Sequence, residues 1–235
     1  MSISAVLSLR RCTVAFAGVT ALDDLGVDIP VEGVTAIIGP NGAGKSSLLN
    51  LICGLVAGTG TIHLAGRDIT ALPAYRRAAA GVARTFQTPV LCDDLSVLDN
   101  VLLGVLSSKK KAAVELLDRL GIVARSTTKA AALPHGERRL VEIARALLRG
   151  GRVLLLDEPA AGLGHAQAHQ LMEAVIAETH RTGTTTVLVE HNMELVSTWA
   201  EHVIVLAQGR LLAQGTPAHI RSQQEVIDTY LGAMT

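Results

Sequence analysis

The sequence predicts an α/β chain: a mostly parallel sheet with helices on both faces, interrupted by a helical subdomain. Two observations carry that prediction. From about residue 151 onward, apolar strands alternate with helical patterns: RVLLLDEP, a helix over about 165–181, TTTVLVEH, a short helix, then HVIVLAQGRLLAQG. Earlier, GVTAIIG runs through a glycine-rich loop straight into a leucine-rich helix. Strand–helix alternation around a leading strand–loop–helix is the grammar of a parallel sheet with crossover helices. At 235 residues, 49% hydrophobic and 18% charged, the chain suits one large domain with a real core.

The elements follow in order. The opening AVLSLRRCTVAFAGVTALDDLGVDIP reads as short strands broken by Gly18 and closed by Pro30. After the buried strand GVTAIIG, residues Leu48, Leu49, Ile52 and Leu55 fall on one helical face, with Gly54 and Gly58 as stops. GTIHLAGRDIT is another strand and turn. From about 73 to 148 the pattern is helical, and 88–148 is expected to form a subdomain. There Ser96 and Asp99 make a capping box, AAVELLDRLGI is a short amphipathic helix, and a third helix runs from Gly136 to Gly150. The lysines at 109–111 read as a solvated loop. A last helix starts after Thr216–Pro217, over 216–235.

Formal net charge is zero, which argues against a nucleic-acid partner, since that would show as a basic excess. Cys12, Cys53 and Cys92 lack metal or disulfide spacing and read as reduced thiols. The N-terminal arginines follow the apolar residues instead of preceding them, so no signal segment is expected. No apolar run approaches the length of a membrane span.

The segment GPNGAGKS fits G-x-x-x-x-G-K-[ST], the phosphate-binding P-loop. Across Gly39, Pro40, Asn41, Gly42, Ala43 and Gly44, glycines let backbone N–H groups converge on an anion, and the helix N-terminus adds partial positive charge. Lys45 can reach the β and γ phosphates, the Ser46 hydroxyl can ligate Mg²⁺, and Ser47 is placed for the α phosphate. In VLLLDEP, two carboxylates follow four buried aliphatics, a costly arrangement unless a cation or water needs them. Asp157 would hold the metal's water shell, and Glu158 would orient or deprotonate an attacking water.

On these motifs the chain resembles the ATP-binding subunit of an ABC transporter over nearly its whole length. The resemblance implies a P-loop NTPase (RecA-like) core with an antiparallel β subdomain and a short helical subdomain, in a single domain over 1–235. It implies that Phe16, in FAGVTAL, stacks on adenine, and that Gln87, in RTFQ, touches the metal or attacking water. Pro134, His135, Gly136 and Glu137, in LPHGERRLVEIARAL, would meet the γ-phosphate of ATP bound to an opposite subunit. His191, in VLVEHNMELV, would be the switch histidine on the γ-phosphate. RTFQ, GERRLVEIARAL, EPAAGL, EHNMELV and the tail QGTPAHI…EVIDTYLGA are similar to ATPases of branched-chain amino acid importers and their amide or urea relatives. In the tail, Val226, Ile227, Tyr230 and Leu231 form an apolar stripe ending at Gly232.

The implied function is hydrolysis of MgATP at a homo- or heterodimer interface, driving uptake through membrane permease subunits and, indirectly, a solute-binding protein. The implied location is the cytoplasmic face of the cell membrane. Two departures from the family pattern stand out. Pro134 and His135 replace a serine and a small residue, so the hydroxyl and one N–H are missing. Gly164 replaces the usual Asp or Asn, with His165 beside it. These motivate a second expectation, a regulatory or weakly hydrolysing subunit of a heterodimer. A non-transport ABC ATPase acting on DNA or ribosomes is disfavoured by the neutral charge and the single P-loop. A GTPase would need an N/T-K-x-D motif, which the sequence lacks.

Overall fold

The computed structural model of the protein describes residues 5–231, with side chains through 228. Two sheets organise it. The first is antiparallel, with β1 (Ala5–Phe16), β2 (Val19–Pro30), β4 (Thr59–Leu64) and β5 (Arg67–Asp68) in the order β2-β1-β4-β5. The opening strands are therefore a hairpin of two long strands rather than several short ones. Alternation supplies the reason: Leu7, Leu9, Cys12 and Val14 all point inward from β1, and bulges keep the face in phase.

The second sheet contains β3 (Val34–Ile38), β6 (Val82–Arg84), β7 (Val153–Asp157), β8 (Thr185–Val189), β9 (His202–Ala207) and β10 (Arg210–Gly215). Its order is β10-β9-β3-β8-β7-β6, parallel throughout except for β10. Strands β3, β7 and β8 are buried at every position, as expected for a sheet covered on both faces. Val153 and Leu155 face the antiparallel sheet and α1 (Lys45–Cys53). Leu154 and Leu156 face the opposite way, against α5 (His135–Arg149), α6 (His165–Thr182) and α7 (Met193–Trp199).

Helices α3 (Val97–Leu102), α4 (Lys110–Arg119) and α5 share a further apolar cluster, with Val101, Leu117 and Val141 at its centre. Ser96 caps α3 by accepting the Asp99 N–H at 3.1 Å. No helix among the described residues is long and apolar enough to cross a membrane.

Four further readings of the sequence need correction. Residues 73–148 are not uniformly helical, because β6 lies between α2 (Ala74–Ala80) and α3 and adds an edge strand to β7. Leu55 is not on the buried face of α1. Gly54, in the left-handed region at φ 72°, ends the helix first, and Leu55 is 50% exposed. Lys110 and Lys111 belong to α4, and Lys109 to a preceding 3₁₀ turn, where its ammonium donates to the Leu148 carbonyl at 2.9 Å. The C-terminal helix is two: α8 (Pro217–Arg221) and α9 (Gln224–Leu231). Val226 packs with Ile38 and Val205, while Ile227 is partly exposed. The side chains of Tyr230 and Leu231, and Gly232 itself, lie outside what the structure describes.

Candidate functional site

The parallel strands deliver four segments to one edge of the sheet. Ile37 and Asp157 are both in register with Val189, and Arg84 is in register with Leu155. The glycine-rich loop after β3, the carboxylates ending β7, Glu190–His191 after β8 and Gln87 after β6 therefore emerge together. Ligands of open α/β sheets bind at this carboxyl edge.

The loop from Gly39 to Gly44 turns into α1 without a side-chain cap. Gly39 (φ 153°) and Gly44 (φ 100°) take positive φ, and a Cβ on either would strike a main-chain carbonyl, that of Leu206 or Ala21 respectively. Only glycine fits both places. Lys45, on the first turn of α1, is buried and folds back to donate to the carbonyls of Gly39 (2.6 Å) and Pro40 (3.0 Å). Burial pushes its pKa down, while Glu158 and Asp157 pull it back up. The lysine is thus held beside the carboxylates, on carbonyls that an incoming anion could replace. This cradle of N–H groups, helix terminus and ammonium suits a polyphosphate.

Asp157 is buried and meets Arg84 at 3.0 Å. Arg84 also donates to Asn50 Oδ1 at 2.5 Å and lies 5.0 Å from the Phe86 ring centroid. Glu158 takes the left-handed region at φ 47°, uncommon for a non-glycine residue, with its N–H bonded to the Val189 carbonyl at 3.0 Å. That twist turns its carboxylate toward two other strand ends. Gln87 Nε2 donates to Glu158 Oε2 at 3.1 Å, and His191 Nδ1 lies 3.9 Å from Glu158 Oε1. Gln87, Glu158 and His191 form one polar cluster, with Lys45 in electrostatic reach of it. Of the expected metal ligands Ser46, Gln87 and Asp157, Ser46 sits at the start of α1, Asp157 at the end of β7 and Gln87 in the loop after β6. Their donor set, a hydroxyl and a carboxylate beside a phosphate cradle, fits a hard divalent cation.

Phe16 is 47% exposed at the end of β1, open to stacking. Pro134, His135, Gly136 and Glu137 open α5, with Pro134 at the N-cap and no side chain capping the helix. Among the described residues, none of these four bonds to or pairs with the Lys45–Glu158 cluster; they belong to the start of α5. Gly136 is tightly apposed to Leu163, which a Cβ would approach to 3.2 Å, and Glu137 pairs with Arg125 at 3.2 Å. Gly164 caps α6 with its N–H 3.4 Å from Gln167 Oε1, and His165 faces Glu194 at 3.6 Å.

Sequence reasoning missed three charged residues here. Arg84 is a lone cation at the end of a three-residue apolar strand. Arg139 and Glu142 on α5 are buried, facing the 86–90 loop. An i, i+3 charge pair flanked by inward-facing Leu140 and Ile143 was the available signal.

Comparison with known proteins fits this geometry. The family model described as ABC transporter matches residues 22–161. The high-affinity branched-chain amino acid transport ATP-binding protein LivG of Escherichia coli (strain K12) is 34% identical, with 97% of this chain and 98% of LivG covered. The corresponding BraF protein of Pseudomonas aeruginosa is 32% identical over 97% of this chain and 98% of its own length. Among solved structures, the ADP conformation of MJ1267, an ATP-binding cassette of an ABC transporter, superposes with a TM-score of 0.89 at 28% identity, covering 97% and 99% of the two chains. A nucleotide-free ATP-binding cassette from an ABC transporter gives the same TM-score over 96% and 98%. With its phosphate cradle, paired strand-end carboxylates and near-complete overlap with these relatives, the chain belongs to the ABC transporter family as one of its ATP-binding cassettes, an ATPase.

Proposed function

We propose that this chain hydrolyses MgATP between two cassettes and drives import of branched-chain amino acids through membrane permease subunits. The observation that carries the hydrolytic part is the Gln87–Glu158–His191 cluster beside the Lys45 loop. The importer class is supported by the names of the LivG and BraF relatives.

In this reading, main-chain N–H groups of Gly42–Ser47 receive the phosphates, and Lys45 leaves the Gly39 and Pro40 carbonyls for the β and γ oxygens. Glu158 accepts the proton of the attacking water, with Gln87 fixing one carboxylate oxygen and His191 approaching the γ-phosphate. Ser46, Asp157 and Gln87 would hold Mg²⁺, which would supply charge neutralisation to the phosphates. Asp157, which pairs with Arg84, would be its carboxylate ligand. Phe16 stacks on the base.

The first turn of α5, His135 to Glu137, supplies N–H groups to the γ-phosphate bound by the second cassette. Pro134 donates none. Arg125 offsets the charge that Glu137 would otherwise bring toward an anion. Glu158→Gln, which keeps a hydrogen-bonding side chain but not a base, tests the assignment: nucleotide binding persists and phosphate release stops.

The permease docks in the groove of about 440 Å³ between α2 and α5, floored by β6 and closed by Leu103 and Gly104 after α3. Leu55, Tyr75 and Phe86 expose apolar surface there, with exposed Val90 beside it, and the groove adjoins the Gln87 loop. A helical segment of a permease subunit, facing the cytoplasm, is its occupant. Tyr75→Asp is expected to abolish co-purification with the permease while leaving ATP affinity unchanged; retention of the complex contradicts the docking site.

A further inference from the structure

Arg139 and Glu142 have no role in the chemistry described above, yet they are the most completely buried charges on α5, at 0% and 1% exposure. They face each other at 3.6 Å. Arg139 reaches out of the helix with both terminal nitrogens, Nη1 donating to the carbonyl of Phe86 and Nη2 to that of Gln87. Glu142 Oε1 accepts the main-chain N–H of Phe86 at 3.4 Å and of Val90 at 3.3 Å. Two carbonyls and two N–H groups of the 86–90 loop therefore end on one ion pair.

Elsewhere the loop is held by Arg145, which donates to the Val90 carbonyl at 2.6 Å, by the buried Pro89 and by the Gln87–Glu158 bond. Phe86, Gln87 and Thr88 are consecutive exposed residues just past the end of β6, beyond the sheet ladder. Simple packing would not choose this pair, because a buried ion pair seldom adds net stability over apolar side chains of similar volume. Arg139 Nε and Glu142 Oε2 are moreover buried without hydrogen-bond partners. What the pair supplies is position. A guanidinium is a rigid fork that can grip two adjacent carbonyls at once, and a lysine ammonium is a point charge that cannot match it.

We infer that Arg139 and Glu142 are positioning residues that clamp the backbone of the 86–90 loop and thereby set the Gln87 amide against Glu158. The inference rests on the hydrolytic role proposed for that pair. It has a directional consequence. Arg139 lies just past the first turn of α5, whose N-terminus is the surface turned to the opposite cassette's nucleotide. A shift of α5 on closing over that nucleotide moves the clamp, and with it Gln87 of the same chain. Completion of one site is thereby reported to the water-orienting group of the other.

The test compares Arg139→Lys and Glu142→Gln in the full chain, each alone and combined with Gln87→Ala. Glu142→Gln retains an acceptor oxygen for the two N–H groups but loses the charge facing Arg139. Each single variant is expected to bind MgATP within about twofold of wild type by calorimetry, with KM similarly unchanged, while kcat falls roughly tenfold to a hundredfold. In the Gln87→Ala background the additional loss should shrink to about twofold or less, because the clamp acts through that side chain. An undiminished loss in that background would make the pair merely structural and overturn the inference, as would wild-type kcat in both variants. If Arg139→Lys fails to fold, Glu142→Gln decides. If neither folds, the pair is structural and the inference falls. A wild-type chain that neither binds nor hydrolyses MgATP would instead remove the underlying function. That result is separate from a wild type that turns over while its variants match it.

Discussion

Two helix N-termini in this molecule are candidates for the same anion, and they are built in opposite ways. At α1, the approach is fixed by Gly39 and Gly44 in positive φ, each pressed against a main-chain carbonyl, and Lys45 supplies a charge from within the chain. At α5, Pro134 sits at the cap with ordinary extended angles, and the first turn carries an acidic side chain paired to Arg125. Neither is capped by a side chain, whereas Ser96, Asn192 and Thr216 cap α3, α7 and α8. The missing cap alone marks nothing, since α2, α4 and α6 share it. What separates the two ends is completeness. The α1 cradle carries its cation and adjoins a polar cluster; at the α5 end the nearby cations, Arg125 and Arg138, are paired with Glu137 and Asp93, which suits a terminus proposed to finish a site begun elsewhere.

The largest effect is expected at the self-contained α1 site. Glu158→Gln should lower turnover roughly a thousandfold while MgATP affinity stays near wild type, since general-base contributions are of that order. Comparable turnover, measured as phosphate release, would take Glu158 out of the chemistry and leave the α1 cradle a binding site only.

Helix α4, which packs beside α5, is tied to α6 by Glu178, whose carboxylate pairs with Arg119 of α4 and Arg181 of its own helix. Burial alone would push its carboxyl up, but the guanidiniums of Arg181 and Arg119 overcome this and hold it at about 2. Such a depressed acid stabilises the fold fully above its ordinary value near 4.5, and that contribution disappears as pH falls through 2. The span corresponds to at most about 3 kcal/mol, and to about 1–2 kcal/mol once solvent around the half-exposed arginines is allowed for. Denaturant unfolding of Glu178→Gln against wild type should show this gap at pH 7 and lose it toward pH 2. A gap that is independent of pH would contradict the ion-pair origin.

The smallest effect is expected at Phe16. Loss of one stacked ring costs about 1 kcal/mol, so Phe16→Ala should weaken ATP about fivefold by calorimetry and leave kcat unchanged. Equal affinity for ATP and inorganic triphosphate in the wild type would show that the base is not read there.

The same contrast explains what could be read in the sequence. The α1 cradle was legible because its geometry restricts residue type: only glycine tolerates those backbone angles against those carbonyls. Asp157 and Glu158 were legible because charge at the end of a buried strand is costly. The left-handed angle at Glu158 was not, since nothing about glutamate announces it; the neighbouring strand end imposes it through Val189. Strand β6 escaped because three residues carry no measurable period, and its partner β7 lies some seventy residues away. Leu55 was misplaced because its spacing continues the helix, although Gly54 stops it. The tail break at Ser222–Gln223 has neither glycine nor proline to mark it. Arg139 and Glu142 were hidden because a charge pair on an amphipathic helix reads as solvated surface until the loop it grips is in place.

If the α5 terminus of one copy completes the α1 cradle of another, light scattering on Glu158→Gln with saturating MgATP will detect the pair, because hydrolysis cannot reopen it. A doubling of mass that requires MgATP, and is lost when a bulky residue replaces Gly136, is the predicted result. A monomer at nucleotide concentrations where calorimetry shows the site filled would contradict it.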